Sequence, residues 1–292
     1  MADQPVQVLG GLLREVRVAL TEAGKADPSL EARLLVEHFT GTSRTDAVLD
    51  PQRPVPDEAA ALVRAALSRR LAGEPVHRII GQREFYGFTL KLSAGTLEPR
   101  PDTEALVELA LPFQRSAADR YGRARILDLG TGTGAIALAL LANEARAEAV
   151  GADISDDALA TAQINADMTG NGDRFLPMRS DWFGAVDGKF HLIVSNPPYI
   201  PSKDIEALDR EVREHDPLAA LDGGPDGLEP YRLIAAGAFS HLEMDGIVAV
   251  EVGYDQPGLV EAIFLEQGFR LVADAHDLGG HRRALAFAAG RP

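Results

Sequence analysis

From Ala124 onward, short apolar runs alternate with segments of helical periodicity. The predicted strands are Arg125–Leu129, Ala147–Ala152, Phe175–Arg179, His191–Ser195, Gly246–Val252, Arg270–Ala275 and Arg283–Ala288. Helices are predicted between them at Ala135–Asn143, Asp156–Asn165, Gly227–Ala236 and Gln256–Gln267. Near-continuous apolar strands separated by helices imply a mostly parallel sheet with helices on both faces. Ligands of such α/β folds bind outside the carboxyl ends of the strands. The residues that follow each predicted strand are therefore the ones to search for chemistry.

After the first of these strands the chain reads Asp128-Leu129-Gly130-Thr131-Gly132-Thr133-Gly134, and a helix opens at Ala135. Glycines permit positive φ and a close approach of backbone to ligand, and the new helix offers free N–H groups. With Ala135 the stretch satisfies the loosened dinucleotide pattern G-x-G-x-x-A, so the loop alone does not separate a nicotinamide cofactor from other adenosine ligands. Asp153 closes the second strand, where a carboxylate commonly grips ribose hydroxyls. Ser155 can cap the next helix, which leaves Asp153 for a ligand.

The fourth strand runs into Asn196-Pro197-Pro198-Tyr199. An Asn side-chain oxygen and the Pro197 carbonyl, held by two prolines, can accept both hydrogens of a planar NH2 group. The ring of Tyr199 can lie against the plane that carries it. An amide or aryl amine is a poor nucleophile because its lone pair is delocalised. Two acceptors that draw its hydrogens aside localise that pair and aim it at an electrophile, which is positioning and electrostatics directed at the transition state.

The rest of the chain divides by pattern. Residues 1–75 read as a small helical domain. Leu9, Leu12, Leu13 and Val16, then Ala32, Leu35, Val36 and Phe39, then Ala59, Leu62, Val63 and Ala66 recur at helical spacing. Arg69 and Arg70 fall in the last turn, where cations suit the helix dipole. No catalytic constellation is visible there, so it reads as a substrate-recognition module. Residues 76–100 carry Phe85, Tyr86, Gly87 and Phe88 and a turn at Ser93–Gly95, the pattern of a β-hairpin linker. Residues 101–292 form the third region. Within it the Pro201–Pro230 stretch is long, charged and adjacent to the fourth strand, as a lid would be.

Composition narrows the partners. The chain carries a net charge of −15, of which −2 lies in residues 1–75 and −13 in the remainder. A nucleic-acid enzyme would be expected to show a basic face, and none is apparent. The 292 residues include no cysteine, and the seven histidines are scattered, which disfavours a metal site. No run approaches the ~18 apolar residues of a membrane span. Met1-Ala2-Asp3-Gln4-Pro5 shows no basic leader. A cytoplasmic protein is expected.

The glycine loop, Asp153 and the Asn196–Tyr199 tetrapeptide together resemble a class I S-adenosylmethionine-dependent methyltransferase. More narrowly, the chain resembles the HemK/PrmC family of protein-(glutamine-N5) methyltransferases. The segments that carry this narrower likeness are Gly73-Glu74-Pro75, Glu84-Phe85-Tyr86-Gly87, Pro99–Glu104, Ser180–Phe183, Leu221–Leu228, Glu251-Val252-Gly253 and Asp277–Gly280. The resemblance implies a Rossmann-like sheet, a helical N-terminal bundle joined by a β-hairpin, and class I peptide chain release factors as substrates. It implies that Gly130, Thr131, Gly132, Thr133, Gly134, Asp153, Ile154, Asp181, Trp182 and Asn196 surround S-adenosylmethionine, and that the products are S-adenosylhomocysteine and a glutamine methylated in a Gly-Gly-Gln motif. Asn196, Pro197, Pro198 and Tyr199 would hold the substrate, with Asn196, Pro197 and Tyr199 acting on the amide. Leu97–Pro101 would form one wall of the site. The chain departs from the family at Asp216-Pro217, where Glu-Pro is commoner; the change shortens a carboxylate and is expected to leave the site motifs untouched. A nucleic-acid adenine methyltransferase could use the same tetrapeptide, whereas an oxidoreductase or a non-catalytic binding protein would have no need of it.

Overall fold

A computed structural model describes residues 7–290. Met1 to Pro5, read above for a leader, lie outside the described residues. The chain divides into two compact units that part between Gly81 and Gln82.

The first unit is helical: α1 (Leu9–Glu22), α2 (Pro28–Thr40), α3 (Arg44–Leu49), α4 (Asp57–Leu71) and α5 (Val76–Ile80). Starts and stops follow local chemistry. Asp27 caps α2 by accepting from the Leu30 N–H, Pro28 fills its first position, and Gly41 ends it in the left-handed conformation. A Ser43–Asp46 capping box opens α3. Leu9, Leu12, Val16 and Leu20 of α1 pack against Ala32, Leu35 and Val36 of α2 and Val63, Ala66 and Leu67 of α4. On α4 the buried stripe differs from the expected one: Leu62 is 48% exposed, and the inward face is Ala60, Val63, Ala66, Leu67 and Arg70. The cause is Arg70. It does not sit at the helix end facing solvent but turns inward and forms a bidentate pair with Glu31, both bonds 2.8 Å long.

The second unit opens with a hairpin, β1 (Gln82–Phe85) and β2 (Phe88–Lys91). Its turn is Tyr86-Gly87, with φ of 50° and 80°, as a two-residue turn matching strand twist requires. The Glu104 carboxylate accepts from the Tyr86 N–H at 3.0 Å and supports that conformation. The Ser93–Thr96 turn is a separate feature beyond the hairpin. The core then follows as α6 (Glu104–Tyr121), β3 (Ala124–Leu129), α7 (Ala135–Asn143), β4 (Ala147–Asp153), α8 (Asp156–Met168), β5 (Phe175–Arg179), β6 (Phe190–Ser195), α9 (Arg210–His215), α10 (Glu229–His241), β7 (Leu242–Glu251), α11 (Pro257–Glu266), β8 (Phe269–His276) and β9 (Arg282–Ala289).

Seven strands form one sheet in the order β5-β4-β3-β6-β7-β9-β8. All neighbouring pairs are parallel except β7–β9 and β8–β9. Period two divides each strand between two cores. Ile126, Leu192, Val194 and Ala249 face the cluster containing α6 and α7. Leu127, Ile193, Val248 and Val250 face the cluster containing α10 and α11. Helix α7 is apolar all round and buried from Ala135 to Leu141, as a helix enclosed on every side must be.

Strand order reverses at β3, which lies between β4 and β6. This switch point is where a crevice opens in doubly wound sheets. The packing there is tight. A Cβ on Gly151 would lie 2.5 Å from Cζ of Phe175 and 2.9 Å from the Thr131 hydroxyl, and Phe175 is itself buried. Gly151→Ala should therefore destabilise the protein by about 1–3 kcal/mol through overpacking, measured as a lower urea midpoint with unchanged slope; an unchanged midpoint would show that β5 can shift to make room.

Candidate active site

A cavity of about 350 Å³ lies at the carboxyl ends of β3, β4, β5 and β6, within the size range of small-molecule sites. Gly130, Thr131, Gly132, Thr133, Asp153, Ile154, Asp181, Trp182, Asn196 and Pro198 all line it. Gly95, Leu97, Pro99, Arg100 and Thr103 form another wall. Gly134, Pro197 and Tyr199 are not among the lining residues.

The glycine turn is built by backbone conformation and one carboxylate. Gly130, Gly132 and Gly134 have φ of 70°, 55° and 82°, values that favour glycine at each. Asp128 lies beneath them, fully buried. Its Oδ2 accepts from the Thr131 hydroxyl at 2.8 Å and the Ala137 N–H at 3.3 Å, while Oδ1 has no hydrogen-bond partner. From α8, Asn165 bonds the Thr133 carbonyl and both backbone groups of Lys91, so it ties the hairpin to the glycine turn.

Asp153 has two roles in the backbone. Its oxygens accept from the N–H groups of Gly132 and Ser155 at 2.9 and 3.0 Å. The cap of α8 is the Ser155 hydroxyl, which accepts from Ala158. Each Asp153 oxygen keeps a further acceptor position, and the residue faces the cavity. Beyond β5, Trp182 has a φ of 48°, unusual for a bulky residue. The Ser180 hydroxyl supports it by donating to the Trp182 carbonyl and accepting from the Ala185 N–H.

The tetrapeptide Asn196–Tyr199 is held from three directions. The Asn196 Nδ2 donates to the Thr103 hydroxyl at 3.2 Å. Gln256 donates to the Tyr199 carbonyl at 2.9 Å. Behind it, the glycines of the Leu221–Leu228 segment approach as only glycine can: a Cβ on Gly223 would lie 2.9 Å from the Pro198 carbonyl, and one on Gly227 would lie 2.4 Å from that of Tyr199. The Tyr199 side chain is half-buried against the core of α10 and β7, and this desolvation pushes its hydroxyl up to about 12.

The Pro201–Pro230 stretch is anchored: Ile200 forms a bridge with Asp222, and the Ser202 hydroxyl donates to the Asp222 carboxylate at 2.6 Å. Pro217, Ala219 and Ala220 from this stretch line the cavity. Asp216 does reach a motif residue, contrary to expectation: it pairs with Arg100 at 3.0 Å, and Arg100 lines the cavity. Sequence reading also missed the roles of Thr103, Asn165 and Gln256, whose partners lie far away along the chain.

Among the described residues, no group of three or more His, Asp or Glu is placed to hold a metal ion. No helix among them is long and apolar enough to cross a membrane.

A seven-stranded switch-point sheet with a glycine turn and a proline-held Asn at one crevice defines a class I methyltransferase. Solved structures agree on the fold: ribosomal protein L11 methylase from Lactobacillus delbrueckii subsp. bulgaricus superimposes with a TM-score of 0.50 at 23% identity, covering 68% of this chain and 83% of that one. The hMettl16 catalytic domain gives 0.52 at 15% identity, covering 80% and 82%. Residues 11–81 match the PrmC N-terminal domain, and residues 112–213 match the methyltransferase small domain. A release factor glutamine methyltransferase from Agrobacterium fabrum is 55% identical over 93% of this chain and 94% of its own length. Another from Rhodospirillum rubrum is 45% identical over 97% and 86%. The chain belongs to the release factor glutamine methyltransferase family.

The buried carboxylate under the glycine turn makes stability depend on pH. Burial raises the Asp128 carboxyl to about 7, against its two hydrogen bonds. Between pH 4 and 7 the folded state keeps a proton that the unfolded chain has released. The associated stability is thus full below pH about 4 and is lost as pH rises through 7. Asp128→Asn cannot titrate. Its unfolding free energy should fall less steeply than that of the wild type from pH 5 to 7, by up to about 1.4 kcal/mol per pH unit. Parallel curves would contradict the assignment.

Proposed function

We propose that this chain transfers a methyl group from S-adenosylmethionine to the side-chain amide nitrogen of the glutamine in a Gly-Gly-Gln motif of class I peptide chain release factors, in the cytoplasm. The observation that carries the reading is the orientation of Asn196. Its NH2 is engaged by Thr103, which leaves its oxygen as the end available to a substrate beside the glycine turn.

The cavity fits an adenosine-bearing methyl donor. The two remaining acceptor positions of Asp153 suit a pair of ribose hydroxyls. Ile154 and Trp182 offer apolar contact to a flat base with Asp181 at its edge, and the positive-φ turn of Gly130–Gly134 presents backbone with no side chain in the way. When bound, S-adenosylmethionine supplies an electrophilic methyl group on a sulfonium sulfur, which keeps the bonding electron pair as the methyl leaves.

The protein's part is to prepare the nucleophile. The Asn196 oxygen and the Pro197 carbonyl accept the two amide hydrogens. Tyr199, with a hydroxyl kept neutral by burial, packs beside the amide plane. The amide nitrogen then forms the new N–C bond and releases one proton to water, giving a secondary amide. The acidic surface of the catalytic unit speaks against a nucleic-acid substrate.

Labelled methyl transfer to a purified release factor, with mass mapping of the modified residue, tests the function. Asn196→Ala should lower kcat by about 10²–10³, the cost of losing one preorganised polar group, with a smaller effect on S-adenosylmethionine affinity. Near-normal turnover would contradict the role given to Asn196.

A tripeptide loop offers too little surface to single out one protein, since stable interfaces bury about 800 Å² per partner. We assign the additional recognition to the helical unit. An enzyme beginning at Gln82 should bind S-adenosylmethionine normally and methylate a short Gly-Gly-Gln peptide, yet lose most activity on the intact factor. Equal activity of the truncated and full chains on the intact factor would leave the helical unit a structural role only.

A further inference from the structure

The segment Asp277–Gly280 carries part of the sequence likeness, yet none of its residues lines the cavity. It forms the turn between β8 and β9. Backbone bonds close this turn: the Asp277 N–H donates to the His281 carbonyl and the Gly280 N–H to the Asp277 carbonyl, both at 2.9 Å. Gly280 takes a φ of 82° there. The Asp277 carboxylate braces the turn, accepting from the His281 N–H at 2.9 Å and from Arg283 at 2.9 and 3.1 Å.

Arg283 fastens the turn to the site. It donates to the Val252 carbonyl at 3.2 Å and lies 3.4 Å from the Asp102 carboxylate, beside the cavity-lining Thr103. The next residue after Val252 is Gly253, whose N–H donates to Gln256, and Gln256 donates in turn to the Tyr199 carbonyl. The turn and the tetrapeptide Asn196–Tyr199 are thus joined by one short chain of bonds.

This braced turn presents apolar surface to water. Leu278 is fully exposed, and Tyr254, which follows Gly253, is 70% exposed. The exposed His281 ring stands edge-on to Tyr254, with centroids 6.3 Å apart. A single exposed apolar side chain is ordinary, but a group of them at the rim of a site marks an interaction surface. Because the turn is already fixed, docking against it costs little ordering entropy.

We propose that Leu278, Tyr254 and His281 form a ledge on the catalytic unit that docks an apolar surface of the release factor beside its Gly-Gly-Gln loop. The inference rests on the function proposed above and adds a second recognition element to the helical unit.

Sheet geometry places the ledge where a protein substrate must cover it. Ser195 pairs with Val250, and Val250 pairs with Leu285. Two strand spacings therefore separate β6 from β9, about 10 Å. From Leu285 back to Arg282 is three residues, about 10 Å along the strand. Asn196 lies one residue beyond Ser195 in that same direction. The turn thus begins about 10–15 Å from Asn196. A stable complex covers about 800 Å² of each partner, a disc of radius about 16 Å when centred on Asn196. A protein whose glutamine reaches Asn196 falls across the ledge. A free methyl donor or a short peptide in the cavity does not, since none of the three side chains lines it.

The test compares an intact release factor with a short Gly-Gly-Gln peptide, using the full chain and saturating S-adenosylmethionine. Leu278→Asp and Tyr254→Ser should each raise KM for the intact factor by about 10-fold, with kcat within about 3-fold, the mark of binding lost equally in ground and transition states. Both should methylate the peptide within about 2-fold of the wild type and keep its urea midpoint. Met244→Asp, also on an exposed apolar residue but near the opposite end of β7, should leave every parameter unchanged. Wild-type KM for the intact factor in both ledge variants would overturn the proposal. So would an equal loss on factor and peptide, which would make the turn a support of the site. A wild-type dimer that Leu278→Asp dissociates without changing KM would also overturn it, because the ledge would then be covered by a second copy of this chain. Those outcomes leave the proposed function standing, whereas a wild-type enzyme that methylates neither factor nor peptide would overturn the function itself.

Discussion

The site depends on the parallel register of β3 and β6. Leu129 and Ser195 are paired across it, and the buried Ser195 hydroxyl donates to the Leu129 carbonyl at 2.7 Å. The residue after Leu129 is Gly130, and the residue after Ser195 is Asn196. One pair of strand ends therefore brings together the turn that would receive the methyl donor and the amide that would orient its acceptor. Both strands are buried on both faces, so a slip of one residue would exchange the side chains of two cores. The packing of Leu127 and Ile193 on one side and Ile126, Leu192 and Val194 on the other thus sets the placement of the chemistry.

Two buried carboxyls flank this junction. Asp128 supports the glycine turn from below, and Glu251 ends β7 one residue beyond Val250, the partner of Ser195. Each has an oxygen without a hydrogen-bond partner, and burial raises each to about 7. Apolar residues at these positions would pack at lower cost. Asp128 acts on the Thr131 hydroxyl and the Ala137 N–H, which shape the glycine turn, rather than on a ligand directly.

Much of the sheet was legible because its strands are continuous apolar runs bounded by glycines, charges or prolines, and because α7 and α8 open on clear signals at Gly134 and Ser155. The glycine turn and the Asn196–Tyr199 tetrapeptide were legible because contiguous residues carry the chemistry. Thr103, Asn165 and Gln256 were not, since their meaning lies in partners 93, 74 and 57 residues distant. The inward turn of Arg70 was hidden for the same reason: dipole logic suits an arginine at a helix end, and only the fold reveals Glu31 opposite. Gly223 and Gly227 read as loop glycines, yet the space they leave is filled by the backbone of Pro198 and Tyr199. Asp216 looked remote from the site because the sequence does not disclose that the segment after β6 folds back over Arg100.

The central claim is that the Asn196 oxygen is the acceptor that orients the substrate amide beside the methyl donor. A crystal structure of the full chain with S-adenosylhomocysteine and a glutamine-containing release-factor peptide tests it directly. The account predicts the glutamine amide nitrogen within about 3 Å of Asn196 Oδ1, with Asn196 Nδ2 still bonded to Thr103. A glutamine bound elsewhere in the cavity, or an Asn196 turned so that Thr103 donates to its oxygen, would contradict it.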